Sequence, residues 1–131
     1  MKLVNLTVLI LLLSSCANSP PKSPNDICKI FDEKRSWYKA SIRTYQRWDI
    51  EPSITLAFIK QESSFQQGAK PDRERIFFGL IPWKRQSSAY GYAQVIDGTW
   101  ELYKKEAGRT FASRTNFSDS VDFIGWYNNR N

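Results

Sequence analysis

Glu62 is the residue of this chain whose neighbours best suit it to acid chemistry. It lies within residues 52–65, PSITLAFIKQESSF. There Ile54, Phe58, Glu62 and Phe65 recur at spacings of three and four, so they can share one helix face. A carboxylate in line with residues expected to pack inward is costly when ionised and unpaired. Partly desolvated beside aromatic rings, it could hold its proton near neutral pH and donate it. A second polar group, Gln94, sits in residues 91–95, GYAQV. Its amide both donates and accepts, which suits sugar hydroxyls and acetamido groups. Gly91 permits tight backbone geometry or close ligand approach. Taken alone, the same stretch also reads as an ordinary turn followed by a helix. The chain contains no histidine, which removes His-based nucleophilic triads and argues against a catalytic zinc site.

Glu62-Ser63-Ser64-Phe65 resembles the E-S-x-F motif of the lytic transglycosylases with a soluble-lysozyme-like (SLT, goose-type) domain. Downstream and in the right order, Gly91-Tyr92-Ala93-Gln94-Val95 is similar to that family's G-L-M-Q-I motif. Asp122-Phe123 and Gly125 to Tyr127 look like its N-I…G…Y-L helix, with aspartate in place of asparagine. The likeness covers roughly residues 50–127. It implies an all-α, compact lysozyme-like helical domain acting on peptidoglycan glycan strands, with no metal and no cofactor. The implied reaction is non-hydrolytic cleavage of the N-acetylmuramic acid–N-acetylglucosamine β-1,4 bond, leaving 1,6-anhydromuramyl ends. Glu62 would be the catalytic residue, with Gln94, Ser63 and Tyr92 orienting the sugar. Ser63 has an equally good alternative in helix-end hydrogen bonding. A two-carboxylate glycosidase would need a second placed acid. Asp72, Glu74 and Asp97 are available, but no spacing pairs them with Glu62.

The family domain ordinarily continues to a motif like A-Y-N-x-G, which these residues do not supply. The resemblance therefore implies a fold with one side of its groove open: a shortened relative, a truncated chain, or a domain completed by an envelope-complex protein partner. Three other functions stay in view. One is a catalytically weak wall-binding or assembly component of an envelope-spanning secretion or conjugation machine. The others are a lysozyme-like hydrolase and a structural lipoprotein.

The amino terminus reads as targeting. After Met1-Lys2, residues 3–13, LVNLTVLILLL, are too short to span a bilayer as a helix and fit a signal-peptide core. Leu13-Ser14-Ser15-Cys16 resembles a bacterial lipobox, which implies lipidation of Cys16 and a membrane anchor. By resemblance to Gram-negative lipoproteins, Ala17 rather than aspartate after that cysteine implies export to the periplasmic face of the outer membrane. The competing readings are an ordinary signal peptide, or a buried apolar helix, with an incidental cysteine. Residues 1–15 are thus expected as a signal peptide, 16–25 (with three prolines in ANSPPKSPN) as a lipidated cysteine and flexible tether, and 26–131 as the helical domain. With Cys16 lipidated, Cys28 is expected as a small buried hydrophobe on a helix. With Cys16 free, a Cys16–Cys28 disulfide competes.

The elements that must position Glu62 follow from periodicity. Asp26 is expected to cap one long helix over residues 27–48, with a stripe running from Ile27 to Trp48. Pro52 suits the first position of a helix ending near Glu62 or Ser63. Residues 70–86, KPDRERIFFGLIPWKRQ, have no clean period and contain two prolines and a glycine, so they read as a long irregular loop with a short helix or hairpin. Such links are much shorter in many SLT domains. Trp83 within it could stack on a sugar or simply cover the core. Asp97 is a plausible cap for a helix over residues 98–107 closed by Gly108, and Ser118 for a last helix.

Nineteen aromatic residues (five Trp, six Tyr, eight Phe) could supply core area or line a carbohydrate groove. The formal charge of +6 suits a polyanion such as nucleic acid, anionic lipid or an acidic cell-wall polymer, or simply a soluble surface. No Lys/Arg run is dense enough to argue for nucleic acid.

Overall fold

A computed structural model describes residues 19–76 and 81–130; residues 1–18, 77–80 and 131, and with them Cys16, lie outside the described residues. In chain order the elements are α1 (Ile27–Glu33), α2 (Arg35–Trp48), α3 (Pro52–Ser63), β1 (Arg73–Ile76), β2 (Ile81–Arg85), α4 (Asp97–Glu106) and α5 (Phe117–Asn129). Asp26 caps α1 by accepting from the Lys29 amide at 3.1 Å, as its position before Ile27 implies.

The expected single helix over residues 27–48 is two helices. Lys34 leaves helical geometry (φ −117°, ψ 68°), and its amide closes α1 on the Ile30 carbonyl. The break buries Lys34, whose ammonium lies 5.8 Å from the Trp37 ring centroid, and lets Ile30 and Trp37 enter one core from differently directed helices. The inward face of α2 is therefore Trp37, Ala40, Ser41 and Thr44, while Tyr38 and Tyr45 are exposed. Cys28 is exposed rather than buried, because α1 turns only Ile30 fully inward.

The α2–α5 pair forms the main helix interface; α3 packs on both, α1 on α2 and α4 on α5. Gly125 makes the α2–α5 approach feasible: a Cβ there would lie 2.5 Å from Trp48 Cδ1. Two aromatic clusters fill the interior. In the first, Trp37 and Phe117 stack with centroids 3.9 Å apart, and Tyr92 meets both rings edge-on. In the second, Trp100, Tyr103, Phe123 and Trp126 pack between α4 and α5. Among the described residues, eight aromatics (Trp37, Phe65, Tyr92, Trp100, Tyr103, Phe117, Phe123 and Trp126) are buried in the core.

Asp122, buried on α5, ties four elements together. It accepts from Trp48 Nε1 at 2.9 Å, the Tyr103 hydroxyl at 2.8 Å, Arg109 Nε at 3.1 Å and Arg47 at 3.0 Å. Two other expected caps are reassigned. Asp97 is the first residue of α4, and Ser88 Oγ accepts from its amide, while Asn116 rather than Ser118 caps α5. Gly108 follows α4 at φ +66°, as a left-handed helix terminator. The irregular stretch contains an antiparallel hairpin, β1–β2. Of the expected tether, the end nearest α1 is docked: Pro21 is buried, and the Lys22 amide donates to Glu33 Oε2 at 2.9 Å. The described chain is an all-α, lysozyme-like helical domain carrying one short hairpin.

Candidate functional site

Helix α3 turns a different face to the core from the one its apolar spacing suggests. Thr55, Leu56, Ile59 and Ser63 are buried; Ile54 and Glu62 are exposed, and Phe58 is half-buried. The Ile54–Phe58–Glu62 line thus runs along the border of the core. The expectation of a glutamate packed inward is corrected by this rotation of about one position. Glu62 instead opens onto a pocket of about 290 Å³ together with Phe58, Ala93, Gln94, Val95, Ile96, Thr99, Phe123 and Tyr127. It is the only carboxylate among these lining residues. The walls are apolar and aromatic with few polar groups, the usual make-up of a ligand pocket.

The E-S-S-F motif works as a helix stop. Ser64 and Phe65 both adopt left-handed backbone (φ 50° and 63°), and the Ser64 amide closes α3 on the Lys60 carbonyl. For a phenylalanine that conformation is strained. Burial of its ring 5.8 Å from Trp37 offsets the cost and fixes the end of the helix that carries Glu62. Ser63 Oγ donates to the Ile59 carbonyl at 3.0 Å and is buried. It takes the helix-end role and does not line the Glu62 pocket.

The GYAQV turn forms the opposite wall. Gly91 has φ +80°, and its amide donates to Ala69 O at 3.0 Å; the Tyr92 amide donates to Arg114 O. Gln94, itself left-handed at φ 48°, uses Nε2 on two backbone carbonyls, Ala69 and Gly91, each at 2.8 Å. Two carbonyl partners fix the amide orientation and occupy both of its donors. Gln94 is therefore a strut between the turn and the loop leaving α3, and its carbonyl oxygen is the atom left for a ligand donor. Arg114 braces the same turn by donating to Val95 O at 2.9 Å and pairing with Asp97 at 2.8 Å.

Tyr92 points the other way. It is 2% exposed among Trp37 and Phe117, lines a separate concavity with them, and burial pushes its hydroxyl pKa up. Its expected place beside the sugar is corrected: the turn alternates direction, sending Tyr92 into the core and its neighbours Ala93 and Gln94 to the pocket. Trp83 falls on β2, and its side chain lies outside the described residues. Phe58, Thr99, Phe123 and Tyr127 belong to the pocket although sequence reading assigned them no such role. Tyr127 was detectable in principle, as the aromatic one step beyond the buried face of α5; it is 44% exposed and stacks on Phe123.

The fit at Gly91 makes a prediction. A Cβ there would lie 2.0 Å from the Arg114 carbonyl oxygen, on a backbone that disfavours L side chains. Gly91→Ala is expected to destabilise by about 2–3 kcal/mol in chemical denaturation. Gly68→Ala, with nothing within 4 Å of the new methyl, should stay within about 0.5 kcal/mol of the parent.

The helical domain thus sets one glutamate on an aromatic-walled pocket, opposite a glutamine-bearing turn. The model of the transglycosylase SLT domain family matches residues 4–131, and the chain belongs to that family. No curated protein and no solved structure matches the chain.

Proposed function

We propose that the chain is a lytic transglycosylase that cleaves the β-1,4 bond between N-acetylmuramic acid and N-acetylglucosamine in peptidoglycan without consuming water. The observation that carries this reading is the single carboxylate, Glu62, among the residues lining an aromatic-walled pocket. Two of the other acids, Asp72 and Asp97, do not line the Glu62 pocket. Asp97 pairs with Arg114, and Asp72 lines a concavity beside the hairpin. One acid then serves both half-steps. Protonated Glu62 donates to the glycosidic oxygen as the bond from C1 breaks. Its carboxylate then accepts the proton of the muramyl C6 hydroxyl as that oxygen closes on C1. Atoms balance with no added water, and Glu62 ends as it began.

Glu62 is exposed, so its desolvation would come from the bound strand. A strand lying over it would exclude water from the carboxyl and favour the neutral, proton-donating form. Phe58 and Tyr127 offer apolar surface to sugar faces, with Phe123 buried behind Tyr127, and the Gln94 carbonyl oxygen would accept from a sugar N–H or hydroxyl. We also infer, from the sequence before residue 17, that Cys16 carries a lipid anchor holding the domain at the periplasmic face of the outer membrane.

The test is a digest of purified peptidoglycan by the purified protein, with mass analysis of released muropeptides. Products lighter by one water than the reducing-end forms are expected. Reducing-end products would replace this mechanism by lysozyme-like hydrolysis. No release by the folded, full-length chain would sink the stand-alone enzyme.

A further inference from the structure

The hairpin gathers charge in a way that hairpin stability does not favour. In its register Arg73 stands directly opposite Arg85, and like charges facing each other across a strand pair destabilise it. Arg75 lies on the same strand as Arg73, and Lys70 precedes it in the loop. With Asp72 these residues line an open concavity of about 790 Å³, four cations to one carboxylate. Among the described residues, ion pairs hold Arg47, Arg109, Arg114 and Arg130, but none involves Lys70, Arg73, Arg75 or Arg85. Arg85 donates to the Pro71 carbonyl at 3.0 Å, which fixes its guanidinium against the loop.

The concavity is joined to the Glu62 pocket through one peptide group. The Ala69 carbonyl, on its rim, receives the hydrogen bonds from Gly91 N and Gln94 Nε2. Lys70 Nζ lies 4.8 Å from the Tyr90 ring centroid, so the positive surface reaches the residue before Gly91. Gln66, also on the rim, is four residues from Glu62 and hence no more than about 14 Å away along the chain.

We propose that this cradle is an anion site that binds the carboxylates of the peptide stems borne by the glycan strand while the strand occupies the Glu62 pocket. The proposal rests on peptidoglycan being the polymer. Guanidinium groups match carboxylates in planar, two-point fashion, and four of these cations would share a charge-rich peptide. Its position beside the sugar pocket favours a substituent of that same polymer over a separate membrane surface. Stem binding would select uncleared, stem-bearing wall and fix the strand's register over Glu62.

The experiment measures binding, with every protein carrying Glu62→Gln so that no strand is cut. Sedimentation at low salt compares intact sacculi with sacculi whose stem carboxylates have been converted to neutral amides by carbodiimide coupling, which leaves the cross-links and the insoluble wall in place. With the native cradle, intact sacculi are expected to bind more tightly by roughly fivefold. Arg73→Gln with Arg85→Gln should bring that ratio close to one, and the double Lys replacement should keep most of it. A ratio already near one with the native cradle overturns the proposal, as does a ratio unchanged in the Gln variant. Loss of binding to phosphatidylglycerol vesicles with the sacculus ratio unchanged would assign the cradle to lipid instead. Absence of cleavage by the parent chain strikes the enzyme reading alone, because the ratio is read without turnover. An absent ratio alongside normal cleavage strikes the cradle alone.

Discussion

Glu62→Gln is expected to reduce peptidoglycan cleavage by about 10⁴-fold, the upper part of the range for a single general acid–base group. The size follows from economy: one carboxyl both protonates the leaving oxygen and receives the C6 hydroxyl proton, and an amide can do neither. The fold should be untouched. The side chain is exposed, and among the described residues no hydrogen bond or ion pair holds it. Stability should therefore stay within about 0.5 kcal/mol of the parent. Glutamine keeps the shape of the side chain, so binding to sacculi should persist. Glu62→Asp tests placement: a carboxyl withdrawn by one methylene should still lose about 10²-fold. Rates of muropeptide release, read beside sedimentation and thermal unfolding, separate these effects. Cleavage retained in Glu62→Gln would move the chemistry to another residue.

Asp122→Ala should have the largest effect on stability, about 3–5 kcal/mol, because removing one partner from a buried charged network leaves the others unsatisfied. The carboxylate joins α2, α4, the loop after α4, and α5 through Trp48, Tyr103, Arg109 and Arg47. Burial alone would raise its pKa, but bonds from Trp48, Tyr103 and Arg109 outweigh this and hold it below the ordinary aspartate value of 3.8. The sign then follows. The group contributes full stability above its unfolded pKa, and the contribution is lost as pH falls through the lower folded value. Denaturation midpoints should thus drop below about pH 4 in the parent. Asp122→Asn should be intermediate at neutral pH and should lack that part of the acid loss. Tyr103 reports the same network, since burial and then its bond to Asp122 push its hydroxyl pKa up.

The helix supporting the site was legible because its signals are local. Pro52 stands at the start of α3 and Ser63 at its end, where the sequence placed them. Asp26 and Gly108 act at helix ends for reasons their own backbones supply. The break at Lys34 was not legible, since a continuous stripe of apolar residues fits one helix as well as two. The outcome depends on what Ile30 and Trp37 must reach. The site was half legible: Glu62 and Gln94 do face one pocket, while Ser63 and Tyr92 are committed to a helix end and to the core. Asp122 was read as a motif departure and proved to be the hub of the buried polar network.

What the sequence by itself determined is the kind of parts: an acid at a helix end, a glycine–glutamine turn, apolar helices to carry them, and an extra irregular segment between the two motifs. Periodicity, capping and turn chemistry act over a few residues, and a single chain displays them directly. Only the tertiary structure decided how those parts face. It rotated α3 so that Glu62 lies on a pocket rim, spent both donors of Gln94 on holding a loop, and set Arg73 against Arg85. Such choices are made by packing between segments distant in sequence, where a shift of one helical position or one strand residue exchanges inside for outside.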